Sequence, residues 1–409
     1  MNILTIISFL SAFGGLLTII PSLPAQTWTQ TSAPITNWMS IASSGDGNKL
    51  VAVAYGGLTN QGIMFSILPG PIYTSTNSGF SWNQTSAPSK VWQSVTSSYD
   101  GSKIAAVPEY GGIYTSMDSG QTWTQSTNAP YAFWGSIAMS ADGTTIAATI
   151  PGAEYVAGAI YLSTNSGNTW EQTSAPTVED WSSLAVSADG RKMLAGAIDG
   201  WVYFSTNSGT TWTQANLPNI IWGGMAVSSN GNTFIAAVNQ SINPIENGGP
   251  IYVSTNSGTT WSQSSAPIAG WTALASSADG SRLVAANGGG KIYTSPDSGI
   301  TWFMNTAPSM GWTSVASSAD GTKLVAIVNS GGIYIPMLGI ALCSGQVVLS
   351  WPTNSMTFQL QQNFGLTMTN WTAVTDLPII NPTNLQYELT VPPTNGSCFY
   401  RILPSQPDF

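Results

Sequence analysis

The residues of this chain best suited to chemistry are carboxylates and aromatic side chains that fall between predicted strands. A pair of carboxylates about 5 to 9.5 Å apart could hydrolyse a glycosidic bond, because one acts as general acid while the other acts as base or nucleophile. Alternatively, the carboxylates have no catalytic role and keep a charge-poor protein soluble. In that case the candidate residues bind a ligand without reacting with it. The candidates are Glu109, Tyr110, Glu154, Tyr155, Asp180, Asp199, Trp201 and Glu246.

Composition excludes several other kinds of site. The 409 residues contain no histidine, which removes the commonest general base, the Ser-His-Asp arrangement and most zinc sites. Two cysteines are too few for a thiolate metal site. The net charge is −9, and nine Lys and Arg against 18 Asp and Glu do not suit phosphate binding. We therefore expect no metal, no cofactor, no nucleic-acid partner and no anionic membrane surface.

The N-terminus has the features of an export signal. An apolar run over residues 3–20 is followed by Pro21 and, soon after, by the small residue Ala25. This pattern predicts a signal peptide over residues 1–25 and a secreted, periplasmic or cell-surface protein. An uncleaved membrane anchor is the alternative, because eighteen residues are the lower limit for a span.

An internal repeat dominates the rest of the sequence. Residues 254–261 read STNSGTTW, and five relatives of this octet occur elsewhere. A second motif begins with Trp, continues with small residues alternating with aliphatic ones, and ends in a turn. It starts at Trp38, Trp92, Trp134, Trp181, Trp222, Trp271 and Trp312. An Ile-Tyr or Val-Tyr pair comes later in each unit and ends at Tyr73, Tyr114, Tyr161, Tyr203, Tyr252, Tyr293 and Tyr334.

One repeat unit predicts four short strands. Strand A follows the Trp, and a DG or NG turn leads to strand B. A Gly-rich loop leads to strand C at the Tyr, and the octet leads to strand D. Four strands per ~40 to 45 residues are typical of a β-propeller blade. The sequence therefore predicts an all-β fold with a seven-bladed propeller over residues 26–336.

The ends of the repeat array predict how the ring closes. The last unit stops at Gly331–Pro336 without a strand D, whereas Gln26–Pro34 forms a spare strand D before the first unit. Pairing of the two would hide both exposed sheet edges. We therefore expect the N-terminal strand to complete the seventh blade.

The octet resembles the Asp-box, or BNR repeat, with the pattern Ser/Thr-x-Asp-x-Gly-x-x-Trp. Asn and Asp share its acid position, so that position needs an acceptor oxygen rather than a charge, and we expect it to cap backbone N–H groups two residues on. The Gly is expected to have a positive φ. The octet is therefore predicted to be structural. The acid position holds Asn77, Asp118, Asn165, Asn207, Asn256 and Asp297.

The resemblance also implies where a ligand would bind. In families with this repeat, the box lies on the propeller face opposite the ligand site. Here the A–B turns and the octets share one face, which we call the octet face. The B–C and D–A loops share the other, the loop face. The eight candidate residues fall on the loop face, where six Asp and Glu, including Glu179, outnumber Lys90 and Lys291.

Propellers with this repeat include sialidases, xyloglucan-cleaving endoglucanases, sortilin-type receptors and a photosystem II assembly factor. Sialidases hold a carboxylate with three arginines, but Arg191 and Arg282 are predicted on the octet face and Arg401 beyond the propeller. The xyloglucanase resemblance implies a carboxylate pair and usually a second propeller. The assembly factor is similar in repeat style, but its binding surface is basic, whereas this loop face is acidic.

Two long loops and a C-terminal segment complete the chain. The loop Tyr55–Pro71 carries an apolar run that either packs over the channel mouth or forms an exposed contact patch, and Val238–Pro250 is the second long loop.

Residues 337–409 read as short strands and predict a small β-sandwich. This segment resembles the Ig- or fibronectin-like C-terminal modules of secreted proteins from Verrucomicrobia-like bacteria. Because export is expected, Cys343 and Cys398 are predicted to form a disulfide.

These observations leave two hypotheses of function. The first is a monomeric binding or scaffold protein, without catalytic residues, that recognises a protein or polysaccharide through its loop face. The alternative is a glycoside hydrolase of the xyloglucanase-like type that uses a pair of loop-face carboxylates. Hydrolysis of a polysaccharide, abolished by one carboxylate substitution, would separate them.

Overall fold

A computed structural model describes two stretches of the chain. The first is residues 28–336 apart from 57, 62–63, 153–156, 199, 241–247 and 306, and the second is residues 339–404 apart from 344–345, 353–357, 364–371, 375–378, 382–385 and 392–398. The predicted signal peptide, the apolar residue Ile63 and Cys398 lie outside these ranges, so the signal peptide and the disulfide stay predictions. In the described part of the chain, no helix is long and apolar enough to cross a membrane.

The described chain is all-β, and its first stretch is the predicted seven-bladed propeller. Seven four-stranded antiparallel sheets follow one another in sequence. Strand A of the seven blades spans Trp38–Ser43, Trp92–Ser97, Ile137–Met139, Asp180–Val186, Ile221–Val227, Trp271–Ser276 and Trp312–Ser317. Strand B spans Leu50–Ala54, Ile104–Pro108, Ile146–Ile150, Met193–Ile198, Phe234–Gln240, Leu283–Asn287 and Leu324–Val328.

The outer two strands of each blade are shorter. Strand C spans Ile72–Ser75, Tyr114–Ser116, Ala159–Ser163, Val202–Ser205, Ile251–Ser254, Ile292–Ser295 and Ile333–Pro336. Strand D of the first six blades spans Asn83–Gln84, Thr124–Gln125, Glu171–Gln172, Thr213–Gln214, Ser262–Gln263 and Phe303–Met304. Two further hairpins lie between these strands, Leu58–Gln61 with Met64–Ile67 and Tyr110–Gly111 with Ala132–Phe133.

The N-terminal strand completes the seventh blade, as the sequence predicted. The sheet order places Trp28–Gln30 next to Ile333–Pro336. Farther along, the backbone N–H of Thr31 donates to the carbonyl of Ile333 at 2.8 Å, and Thr36 pairs antiparallel with Gly331. The ring is therefore closed by residues from the two ends of the repeat array, and the outer edge of Ile333–Pro336 is paired as strand C is in the other blades.

Strand B supplies the middle of the core because blades cover both of its faces. In the first blade all five residues of Leu50–Ala54 are buried. Val51 and Val53 belong to one apolar cluster with Trp92 and Val95 of the next blade. The clusters thus lie between blades, which explains why this strand has continuous apolar residues rather than the alternation of a half-exposed strand.

A tryptophan–tyrosine pair recurs in every blade. The Trp of the second sequence motif is at most 2% exposed, and its ring meets edge-on the ring of the strand C Tyr. The seven pairs have ring centroids 5.4 to 6.1 Å apart and interplanar angles of 62 to 86°. Such pairs contribute roughly 0.5 to 1.5 kcal/mol beyond the burial of apolar area. The two aromatic positions that define the repeat therefore stabilise each blade together.

A ring of backbone hydrogen bonds joins the seven blades at the A–B turns. In each turn, the residue before the Asp or Asn donates its N–H to the carbonyl of the corresponding residue in the following blade, at 2.6 to 2.9 Å. The seventh bond runs from the last blade to the first, so the circuit has no end. In order, the ring residues are Gly45, Tyr99, Ala141, Ala188, Ser229, Ala278 and Ala319.

The C-terminal residues belong to a second compact unit. One antiparallel sheet has four strands and the other has three, which agrees with the five strands predicted there and adds two, Gly339–Cys343 and Ile379–Asn381. The packing of a β-sandwich and its likeness to an Ig module stay predictions. The strands span Gly339–Cys343, Gln346–Pro352, Phe358–Asn363, Thr372–Ala373, Ile379–Asn381, Gln386–Val391 and Phe399–Pro404.

Candidate functional site

The octets form capped turns on the octet face. In the first copy, Ser75 Oγ accepts the N–H of Gly79 at 2.9 Å and donates to Asn77 Oδ1 at 3.0 Å. Asn77 Oδ1 also accepts the N–H of Ser81, and Trp82 Nε1 donates to the carbonyl of Gly79. The acceptor therefore caps a donor four residues on, not two as the sequence suggested. All six copies share the Ser and Asn/Asp caps.

Two successive residues of each octet have a positive φ. The Gly has the expected left-handed conformation, with φ of 74 to 90°. The Ser before it also has φ of 56 to 59°, which the sequence did not indicate because serine rarely adopts this region. In the first blade the N–H of that Ser78 donates to the carbonyl of Asn48 in the A–B turn at 2.8 Å. The octets and A–B turns therefore form one hydrogen-bonded face.

Most basic residues lie on the octet face. Lys49 Nζ donates to Ser119 Oγ of the following blade at 3.3 Å, and Lys323 Nζ donates to Asn48 Oδ1 at 2.7 Å. Arg191 and Arg282 follow A–B turns, as predicted, and Arg401 lies in the C-terminal strand Phe399–Pro404. Arg191 and Arg282 therefore lie on the octet face, not on the loop face where the resemblance implied a ligand site.

On the loop face, recurring bridges fix the B–C loops against the D–A loops. Isolated antiparallel bridges join Gly70 to Lys90, Gly200 to Ile220, and Gly249 to Ala269. In the second blade the same connection is longer, because Tyr110 pairs with Phe133 and Gly111 pairs with Ala132. The loop face is thus held by backbone pairing, and the second blade presents the largest paired segment of this kind among the described residues.

Glu109 lies at the bend that precedes this paired segment. Its Oε2 accepts a hydrogen bond from the Tyr55 hydroxyl at 2.9 Å, and the side chain is half-buried. Its backbone N–H donates to Val91 O at 2.7 Å, while its carbonyl accepts the Trp134 N–H at 3.0 Å. Burial and the bond to Glu109 raise the pKa of Tyr55 above its ordinary value of 10.0. The Glu109 carboxylate is therefore held in a fixed place.

Glu179 has a different environment from the one its sequence position suggested. It is only 8% exposed, and its Oε1 accepts a hydrogen bond from the Tyr203 hydroxyl at 3.1 Å. A Cβ at Gly200 would lie 2.5 Å from Glu179 Oε2, and one at Gly158 would lie 1.9 Å from the Glu179 carbonyl. Burial, followed by the charge of Glu179, raises the pKa of Tyr203 to about 12. Glu179 therefore belongs to the packed interior rather than to an exposed acidic surface.

The remaining candidates are only partly described. Asp180 and Trp201 are half-buried at the loop-face ends of the fourth blade. Glu154, Tyr155, Asp199 and Glu246 lie outside the described residues, so their place in a site stays a prediction. Within the described ranges, no three His, Cys, Asp or Glu side chains come together as they would around a metal ion.

Three aromatic rings form an exposed cluster beside Glu109. The ring of Tyr110 meets Tyr131 edge-on at 4.9 Å and Phe133 at 4.6 Å between centroids. Each ring is more than half exposed, at 53, 63 and 57%, respectively. Tyr110 was a candidate from the sequence, whereas Tyr131 and Phe133 were missed. Their signal was present, because the D–A loop that reads NAPYAFW has two aromatic residues before the repeat Trp.

Exposed apolar side chains are concentrated on the loop face. Twelve large apolar side chains are exposed in the described residues, and four of them, Tyr99, Met117, Ile300 and Met304, lie in octet-face turns or in the outermost strand. The other eight lie in B–C or D–A loops or at the loop-face end of strand B. They are Ile35, Leu68, Tyr110, Tyr131, Phe133, Val178, Ile198 and Ile268. Among the described residues, exposed large apolar side chains are therefore twice as numerous on the loop face as elsewhere.

A cavity of about 490 Å³ also opens on the loop face, between the fifth and sixth blades. Its polar lining groups are already used inside the protein. Asn239 Nδ2 donates to the carbonyl of Trp271, and Asn287 Oδ1 accepts the N–H of Lys291. Thr272 Oγ1 donates to the carbonyl of Trp312. These side-chain atoms are therefore already engaged in hydrogen bonds within the protein and are less available to a ligand in the cavity.

Comparison with known proteins identifies the fold alone. The chain matches no protein-family profile and no curated protein. Among solved structures, it is similar to YCF48 bound to D1 peptide, with 17% identity, a TM-score of 0.56, and coverage of 77% of this chain and 99% of that one. It is also similar to YCF48 from Cyanidioschyzon merolae, with 15% identity, a TM-score of 0.54, and coverage of 76% of this chain and 98% of that one. For the GH74 enzyme of Niastella koreensis, the identity is 14%, the TM-score is 0.46, and the match covers 80% of this chain and 77% of that one. The chain is thus similar to seven-bladed propellers at low sequence identity.

Proposed function

We propose that this protein is a non-enzymatic binding protein that attaches to a polypeptide partner through its loop face. The observation that supports this most is that, among the described residues, eight of the twelve exposed large apolar side chains lie on that face. Their loops are tied together by backbone bridges, so the surface is already formed before a partner arrives. A preorganised surface loses less conformational entropy on binding.

Two further observations support this proposal. A propeller of the same fold, YCF48, is known bound to a peptide, so a peptide is a reasonable class of ligand for this scaffold. Many polar groups of the octet face are used in hydrogen bonds within the protein, so we expect the partner to bind the loop face. We also propose that the protein acts outside the cytoplasm, because its first 25 residues have the pattern of a signal peptide.

The alternative, hydrolysis of a glycoside, needs two carboxylates that face one substrate. Glu179 is buried against Tyr203, and Glu109 accepts a hydrogen bond from Tyr55. These contacts make both residues poorer candidates for the catalytic pair. Release of reducing sugar from a polysaccharide panel, lost on substitution of a single loop-face Asp or Glu, would overturn the binding proposal.

The binding proposal can be tested by placing charges on the loop face and, as controls, elsewhere on the surface. Ile35→Asp, Val178→Asp and Ile268→Asp change exposed residues on three D–A loops, and all should fold. In affinity capture from the native host, each should lose the protein partner that the unchanged chain retains. The matched controls Met117→Asp, Ile300→Asp and Met304→Asp should retain that partner. Equal capture by both sets of variants would contradict binding through the loop face.

A further inference from the structure

We propose that Tyr110, Tyr131 and Phe133, together with Glu109, form a recognition site for a cationic side chain, arginine or lysine, of the bound polypeptide. This inference rests on the proposed function, because it names the chemical group that one part of the loop face selects.

The exposure of the three rings indicates a ligand surface rather than a core contact. Trp134 follows Phe133 directly and is 2% exposed, whereas the three rings of the cluster are each more than half exposed. Tyr110 contacts Phe133 and Tyr131, with ring centroids 4.6 and 4.9 Å apart, respectively. An aromatic ring has a negative π face and a positive edge, and a cation above an exposed face is attracted to it.

The cluster is also rigid. Tyr110 and Phe133 are registered partners in a short antiparallel pairing. Trp134 Nε1 donates to the carbonyl of Gly111 at 2.8 Å, and this bond holds the residue that follows Tyr110 in the pairing. Gly111 has φ of 147°, and a Cβ there would lie 3.1 Å from Pro108 Cγ and 3.9 Å from the Tyr131 ring. The backbone therefore holds the rings in one arrangement, so little ordering is needed when a ligand binds.

Glu109 supplies the charge that complements a cation. It precedes Tyr110 directly in the chain, which places the Cα atoms of the two residues about 3.8 Å apart. Oε2 is used by the Tyr55 hydroxyl, while within the described residues Oε1 accepts no hydrogen bond. A guanidinium can donate to a carboxylate and stack on an aromatic ring at the same time.

The distribution of charge over the protein favours the same partner. Of the nine Lys and Arg, six lie on the octet face and one in the C-terminal unit, so only Lys90 and Lys291 remain on the loop face. The net charge of the chain is −9. A cationic segment is therefore attracted to the protein and meets few like charges at the loop face. The six are Lys49, Lys103, Arg191, Lys192, Arg282 and Lys323.

The test uses the full chain and three soluble probes in surface plasmon resonance. The probes are acetyl-Gly-Gly-Arg-Gly-Gly-amide, its citrulline analogue, which has nearly the same shape without the charge, and cellopentaose as a neutral glycan. We expect the arginine peptide to bind roughly tenfold more tightly than the citrulline peptide. Tyr110→Leu, which keeps apolar bulk but removes the π face, and Glu109→Gln should each remove most of that difference.

Matched controls come from exposed residues elsewhere. Tyr99→Leu changes an exposed tyrosine of the octet face, and Glu171→Gln changes an exposed glutamate of a strand D. Both should bind the arginine peptide like the unchanged chain. Equal affinity for the arginine and citrulline peptides would overturn the proposal. Binding of cellopentaose that is lost in Tyr110→Leu, without arginine selectivity, would assign the cluster to a glycan instead. The proposed function is tested separately. If partner capture depends on Ile35, Val178 and Ile268, binding through the loop face is supported whether or not the cluster selects arginine.

Discussion

The hydroxyl oxygen of Tyr334 lies 3.4 Å from Oε1 of Gln30, although the two residues are 304 positions apart. The same contact joins Tyr114 to Gln125 at 3.0 Å within a single blade, where the separation is 11 positions. Gln30 therefore occupies in the seventh blade the place that a strand D residue occupies in the second.

Removing the N-terminal strand should open the ring. Deletion of residues 26–34 leaves the strand Ile333–Pro336 without its outer neighbour. We expect the melting temperature to fall by more than about 5 °C and aggregation to increase, because a free strand edge pairs with other chains. Differential scanning calorimetry and light scattering measure both. Gln84→Ala, which removes the corresponding side chain of an internal strand D, should shift the melting temperature by less than about 2 °C.

The octet should accept aspartate for asparagine but not a side chain at its glycine. Asn256 Nδ2 donates to Thr260 Oγ1, whereas in the second blade the Thr122 hydroxyl donates to Asp118 Oδ2. Because the hydroxyl can reverse its role, Asn256→Asp should change the free energy of unfolding by less than about 0.5 kcal/mol.

Gly258→Val provides the contrast within the same octet. Gly258 has φ of 87°, and a Cβ would lie 2.9 Å from the Phe204 ring. We expect a loss of about 3 kcal/mol or more in urea unfolding, because a β-branched residue is strained at positive φ. Similar stability of the two variants would contradict the capped-turn geometry.

The turn aspartates should make the protein sensitive to acid. Hydrogen bonds from Ser98 and Ser102 lower the pKa of Asp100 to about 2, and those from Ser140 and Thr144 do the same for Asp142. A folded-state pKa below the ordinary 3.8 means that the stabilisation is complete above about pH 4 and is lost as the pH falls towards 2. Urea unfolding at several pH values in this window measures the loss.

A natural asparagine provides the control for that prediction. Asn230 has the corresponding position in the fifth blade and accepts the Ser228 hydroxyl at 2.8 Å. Asp100→Asn should therefore fold, and its stability should depend less steeply on pH between about 4 and 2. An unchanged slope would mean that Asp100 does not contribute to the acid response.

The two tyrosine–glutamate pairs should differ in their effect on stability. Tyr203→Phe removes the donor to the buried Glu179 and should reduce the free energy of unfolding by about 1 to 3 kcal/mol. Tyr55→Phe removes the same type of bond from the half-buried Glu109, where water can replace it, and should cost about 1 kcal/mol or less. Thermal and urea unfolding measure both variants. An equal cost would show that burial of Glu179 does not decide the difference.

The fold could be predicted because every blade repeats the same few contacts. Trp38 and Tyr73 define a unit in the sequence, and the structure shows that they pack against each other. The positive φ of Ser78 could not be predicted, because it depends on the bond from its N–H to the neighbouring Asn48 turn rather than on serine itself. The strands Gly339–Cys343 and Ile379–Asn381 were missed in the C-terminal unit.

The candidate site was less predictable, since it depends on contacts between loops. Glu109 and Tyr110 could be chosen because they follow a predicted strand. Phe133 joins them only through the pairing of a B–C loop with a D–A loop, which no local pattern indicates. Likewise, the burial of Glu179 depends on Gly158 and Gly200, two glycines distant in sequence that leave room for it.

The seven-membered ring of backbone hydrogen bonds has an electrostatic consequence of its own. All seven bonds run in the same sense, from Gly45 to Tyr99 and onwards until Ala319 donates to Gly45. Aligned peptide dipoles of about 3.5 D add up along a helix and give its ends partial charges. Around a closed circuit, the tangential components of the same dipoles cancel as vectors. The blades are therefore joined by seven bonds of one sense that produce no circumferential pole.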